Sequence, residues 1–123
     1  MHLIKVAVLG LLLVSTYAAA GDCVNPEMPA IPDGASSTME QMIASQKAVK
    51  AFQAANIAYM ACVEPMLTAA GAELKAASGD EKAAAQTNYD EVETTYNNAV
   101  SVEEEVAGEF NAAIREYKAA NPS

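Results

Sequence analysis

The sequence predicts an all-α fold, an antiparallel two-helix hairpin with an extended, proline-rich N-terminal strap stapled by one disulfide. Three observations carry that expectation. Alanine is abundant from residue 37 onward, with no run of β-branched residues, and both favour helix. Apolar side chains then recur at three- and four-residue spacing on two long segments, the period of a helix with one buried face. The stretch DCVNPEMPAIPDG at 22–34 has prolines at 26, 29 and 32 and an Asp-Gly turn, a composition suited to polyproline II and unsuited to helix.

The elements follow in chain order. Residues 1–20 read as a secretory signal peptide: Lys5, the apolar run VAVLGLLLV, and a small-residue cleavage site at Ala18-Ala19-Ala20. The run is short for a membrane span; an uncleaved anchor is the competing reading. Asp22 before Cys23 argues against a lipidation signal. Residues 21–36 form the strap. Ser37-Thr38-Met39-Glu40 has the S-x-x-E spacing of a capping box, which starts the first helix at about 38 and carries it to 77. Pro65 should kink that helix or, alternatively, split it near Glu64. Ser78-Gly79-Asp80 breaks the pattern, with Asp80 the expected N-cap of a second helix over 81–119. Residues 120–123 are a tail, and the hairpin domain spans 37–119.

The second segment repeats as a heptad. Tyr89, Tyr96, Glu103, Phe110 and Tyr117 alternate with Ala85, Val92, Ala99, Val106 and Ala113, a coiled-coil seam of large and small side chains. The first segment answers with Met42, Ser45, Val49, Phe52, Asn56, Tyr59, Val63, Met66 and Ala70. A short link makes the helices antiparallel, so residue numbers at facing positions add to about 159: Phe52 meets Val106, Tyr59 meets Ala99 and Val100, Val63 meets Tyr96. The two polar interruptions, Asn56 and Glu103, also face each other, and should form a polar layer that fixes the register. The plainer reading has Glu103 reaching out to solvent.

An exported chain with two cysteines should join them, so Cys23 and Cys62 form the expected disulfide. Beside the seam of the first helix, Ala44, Ala48, Ala51, Ala55 and Ala58 lead to Cys62 as a column of small residues. The helix from Ser37 to Cys62 spans roughly 37 Å and the strap roughly 43 Å as polyproline II. The strap is therefore expected to lie along the alanine column, with Met28 and Ile31 pressing into it. Pro-x-x-Pro recognition by a partner domain is the functional rival.

The bulk properties bound the function. After cleavage, six basic residues face sixteen acidic ones, which disfavours nucleic acid and anionic membrane surfaces. The chain's one histidine, His2, leaves with the signal peptide, taking with it triad chemistry, general acid–base work near neutral pH and ordinary zinc sites. No Gly-rich phosphate loop is present. The expectation is a non-enzyme with no catalytic residues, no cofactor and no metal site, free of the membrane after signal cleavage. It would be a monomer or a homodimer with room for a protein partner.

Cys23, then Pro29-Ala30-Ile31-Pro32-Asp33-Gly34, Val49-Lys50-Ala51-Phe52, Tyr59 and Cys62 resemble the pattern of a group of small exported proteobacterial helical proteins of uncharacterised function. The resemblance covers about a third of the chain and implies a periplasmic or secreted location, with no activity attached. Two function classes follow. One is a helical interaction or structural module, with an apolar edge at Ile43, Ile57 and Met60 able to pair two hairpins into a four-helix bundle. The alternative is an acidic cation-binding protein, through Asp90, Glu91 and Glu93 or Glu103, Glu104 and Glu105, though neither run has calcium-loop spacing.

Overall fold

The computed structural model describes residues 22–123; the proposed signal peptide lies outside the described residues. Among these residues there are two long helices and no strand. Helix α1 spans Met39–Ala76 and α2 spans Asp80–Ala120. A short 3₁₀ turn, Gly34–Ser36, precedes them, and residues 24–33 take no regular secondary structure.

Both helix starts differ from the expected ones by a residue, for identifiable reasons. The capping box is formed by Thr38 and Gln41 rather than Ser37 and Glu40. The Gln41 backbone N–H donates to Thr38 Oγ1 (3.2 Å), and the Thr38 N–H donates to Gln41 Oε1 (2.8 Å). Ser37 is drawn away because its hydroxyl donates to the Asp33 carbonyl, tightening the preceding turn. Asp80 is the first residue inside α2, and the N-cap is Gly79, with φ 60° and no side-chain cap. Only glycine takes that φ without strain, and the reversal between the helices needs it. Asp80 and Glu81 still face the positive end of the helix dipole.

Helix α1 runs unbroken through Pro65, so the split near Glu64 does not occur. The residue is exposed, which places its ring on the solvent side, where the carbonyl it leaves unbonded meets water.

The seam is the core. On α1, Met42, Ser45, Val49, Phe52, Asn56, Tyr59, Val63 and Ala70 are buried; on α2, Ala99, Val106, Phe110 and Ala113 are buried. Val63 and Val106 have no exposed surface at all. The apolar part divides into two clusters. One holds Met42, Val49, Phe52, Val106, Phe110 and Ala113; the other holds Cys23, Tyr59, Val63 and Ala99. Between them lies Asn56. Val100, expected opposite Tyr59, instead turns outward and is 36% exposed. Ser45 is buried with its hydroxyl unpartnered.

The alanine column is not covered. Ala44, Ala48, Ala51, Ala55 and Ala58 are all exposed, and so is Cys62 at its end. The N-terminal residues sit nearer the junction of the two helices. Ile31 packs against the Phe52–Phe110 cluster, and the Gly34 turn lies on α2. The physical reason is the size of the reward. A row of methyl groups offers little apolar area, whereas the junction offers aromatic and aliphatic side chains from both helices.

Gly34 shows how close that approach is. A Cβ placed there would fall 1.9 Å from the Ala113 carbonyl oxygen, so only glycine allows the turn to rest on the α2 backbone. Asp33 holds the turn by accepting from the Ala35 N–H (3.0 Å) and the Ser36 hydroxyl (3.2 Å).

Candidate interaction surface

The four candidate residues Cys23, Cys62, Asn56 and Glu103 come together in two pairs. Cys23 and Cys62 are joined by a disulfide with a Cα–Cα distance of 5.7 Å. The bond reaches from the exposed Cys62 inward to Cys23, which is buried with Tyr59 and Val63. Met66 adds a soft contact, its Sδ 3.9 Å from Cys23 Sγ. A Cys62 at the flank of α1 thus pins a Cys23 that is itself part of the core.

The second pair is the mid-seam layer. Asn56, only 2% exposed, donates from Nδ2 to Glu103 Oε2 (3.2 Å) and to the Ala99 carbonyl oxygen (2.9 Å). Both amide hydrogens are therefore spent, one on a charge. Sequence reasoning missed the Ala99 carbonyl, because a backbone acceptor four residues before Glu103 leaves no mark in the side-chain pattern. Glu103 is half-buried, so its carboxylate also keeps contact with water.

The acidic runs do not converge. Glu104 and Glu105 are exposed while Glu103 turns toward Asn56, and Asp90 accepts from Gln86 Nε2 (2.8 Å) along its own helix. Among the described residues, no three His, Cys, Asp or Glu side chains are placed to hold a metal ion. No described helix is long and apolar enough to cross a membrane.

What remains is a surface. At 100° per residue, Cys62 lies roughly 120° to one side of Asn56 and Ile57 roughly 100° to the other. On the first side the N-terminal residues pack only near the helix junction, through Cys23 and Ile31, and leave the alanine column exposed. On the second, Met39 is 57% exposed, Ile43 45% and Ile57 58%. Near the open end of the hairpin, Met39, Met42 and Ile43 of α1 form an apolar groove with Phe110, Ile114 and Tyr117 of α2. Val100 shares the flank of Ile114 and continues this face at the level of Ile57. Of the three residues expected as an apolar edge, Ile43 and Ile57 are exposed and Met60 is half-buried, because Met60 turns back to the Tyr59–Val63 cluster.

No family model, curated protein or solved structure matches the chain. The surface itself therefore carries the functional argument.

Charge sharpens the contrast between the helices. Helix α2 holds ten acidic and three basic residues, whereas α1 holds three of each. From Ala51 to Val63, α1 has no acidic or basic side chain. A helix in water normally keeps its outward face charged or polar. Here the outward face is methyl groups, with Ile57 at its centre.

Proposed function

We propose that this protein is an exported, non-enzymatic helical interaction module, a hairpin held in shape by its disulfide so that it can present one apolar side. The observation that carries the reading is the uncharged, outward-facing stretch of α1 around Ile57, flanked by Met39, Ile43 and Val100. Four large apolar side chains on one side of a small, highly acidic chain are costly to solubility and are the composition of a docking surface.

The N-terminal segment acts in this reading as a strap. Its prolines stiffen it, Ile31 and Gly34 seat it on the helices, and the disulfide keeps it seated. An oxidising compartment fits that staple, as does the signal-peptide pattern at 1–20, so the module belongs outside the cytoplasm, in the periplasm or secreted. The likeness to the exported proteobacterial group points the same way. The acidic cation-binding alternative has no such support, since the carboxylates of each run point apart.

Photo-crosslinking tests the reading. A photoreactive residue at Ile57 or Ile43 of the exported protein should give discrete covalent adducts, and one at Glu105 on the acidic helix should give none. Adducts from neither apolar position, with heat released on calcium titration, would replace this reading with the alternative. Mass spectrometry of the exported chain should find Gly21 at its N-terminus.

A further inference from the structure

We propose that the occupant of this face is a second copy of the same chain, docked α1 against α1 in antiparallel fashion about a two-fold axis at Ile57. This rests on the reading of the protein as an interaction module and names its partner.

A second heptad runs along the outer side of α1, separate from the seam. Ile43, Lys50, Ile57, Glu64 and Gly71 fall seven apart; all but Gly71 are exposed, and Gly71 is half-exposed. The stripe is complementary to its own reversal. A two-fold axis through Ile57 sets Lys50 of each copy opposite Glu64 of the other, so two opposite-charge pairs form at once. A parallel arrangement would instead stack Lys50 on Lys50 and Glu64 on Glu64.

Shape agrees with charge. Ile43 and Gly71 each lie fourteen residues from Ile57, about 21 Å along the helix. Ile43 projects from the surface, whereas Gly71 lines a mostly apolar hollow with Leu67, Ala72, Leu74 and Tyr89, which Thr68 and Lys75 also border. A glycine at 71 leaves the hollow its full depth: a Cβ there would lie in van der Waals contact with the Tyr89 ring at 3.6 Å. The axis that pairs Lys50 with Glu64 therefore also seats each Ile43 in the other copy's hollow, knob into hole. The same operation brings Ile57 onto Ile57 and Met60 against Ala54.

Electrostatics selects α1 over α2 as the docking helix. The α2 helices carry the excess of acidic residues and would repel each other. Docking through α1 keeps them on the outside of a four-helix assembly. A heptad on a straight helix drifts by about 20° per repeat, so the two α1 helices would wrap left-handedly to hold the stripe in contact. The area suffices as well. A face about 57 Å long and about 15–20 Å wide, α1 with the flank of α2, exceeds the ~800 Å² per partner of standard interfaces. The arrangement is isologous and closed, so it ends at two copies.

Sedimentation of the purified, disulfide-intact protein tests this directly. At about 100 µM, where an association of micromolar Kd is nearly complete, the mass should be that of a dimer. Ile57→Lys should give a monomer whose melting temperature matches that of the unsubstituted protein at dilutions where the latter is also monomeric, since residue 57 is exposed in the single hairpin. Lys50→Glu should weaken association on the order of tenfold, and adding Glu64→Lys to it should restore it. Ile57→Cys should form a covalent dimer on oxidation. A monomer at that concentration overturns the proposal, as does a dimer indifferent to Ile57→Lys or not rescued by the charge swap. Adducts from Ile57 to a different protein, with the chain itself monomeric, would overturn the dimer and leave the docking surface standing.

Discussion

The two sides of the hairpin receive the same helices and treat them differently. On one, the N-terminal residues reach the helix junction: Cys23 joins the Tyr59–Val63 cluster, Ile31 joins the Phe52–Phe110 cluster, and Gly34 rests on the α2 backbone. On the other, Met39, Ile43, Ile57 and Val100 face solvent. Two helices bury one stripe each and leave two flanks, and the N-terminal residues reach the junction along only one of them. The lesson is that a hairpin of two helices is an incomplete core. One side is closed at the helix junction by the N-terminal residues, and the other, with its large apolar side chains in water, is where an encounter with another molecule would be rewarded.

The largest effect should come from opening the covered side. Replacing both cysteines with alanine removes a link between residues 39 apart and should lower stability by about 4 kcal/mol in the chain-entropy description. Urea denaturation against the oxidised protein measures it. A smaller loss follows from Gly34→Ala. The new methyl meets backbone rather than a movable side chain, so the turn must lift from α2 and Ile31 with it, at about 2–3 kcal/mol. Thermal unfolding with the disulfide intact isolates that contribution.

Between the two sides lies the polar layer. A double-mutant cycle on Asn56→Ala and Glu103→Ala should show a coupling above about 0.5 kcal/mol, as for residues in contact. The smallest effect belongs to the alanine column. Ala55→Leu sits on exposed surface and exchanges two good helix formers, so its melting midpoint should move by no more than about 0.5 kcal/mol of stability. A large loss there would mean that the N-terminal residues lie on the column after all.

These contrasts also show which parts of the molecule were legible in the sequence. The seam was, because burial repeats: every α1 position from Met42 to Ala70 at three- and four-residue spacing is buried or half-buried, and the short link left one register. The Asn56–Glu103 contact followed from the same register. The path of the N-terminal residues did not. Matching lengths showed that they reach from Ser37 to Cys62, but length is blind to which groove rewards the visit, and the reward lies at a junction that exists only after both helices pack. The first cap was misplaced by one residue because Ser37 and Thr38 compete for the same role and a bond from Ser37 to Asp33 decides between them, and the second because the reversal needs the positive φ of Gly79. The exposed flank of α1 was visible only in outline. Ile43 and Ile57 stood out, but the hollow at Gly71 depends on the Tyr89 ring across the seam.

The sulfur bridge also determines how the chain bears tension. A pull applied at Asp22 and Ser123 enters through Cys23 and passes straight to Cys62, so α1 before Cys62, the Gly34 turn and the proline-rich residues carry no load. Only α1 beyond Cys62 and all of α2 lie on the line of force, and the hairpin would peel apart with roughly 130 Å of extended chain still locked inside the covalent ring. The disulfide acts as a mechanical bypass around residues 23–62: the part that holds Ile43, Lys50 and Ile57 keeps its own covalent frame while the rest of the molecule is drawn out.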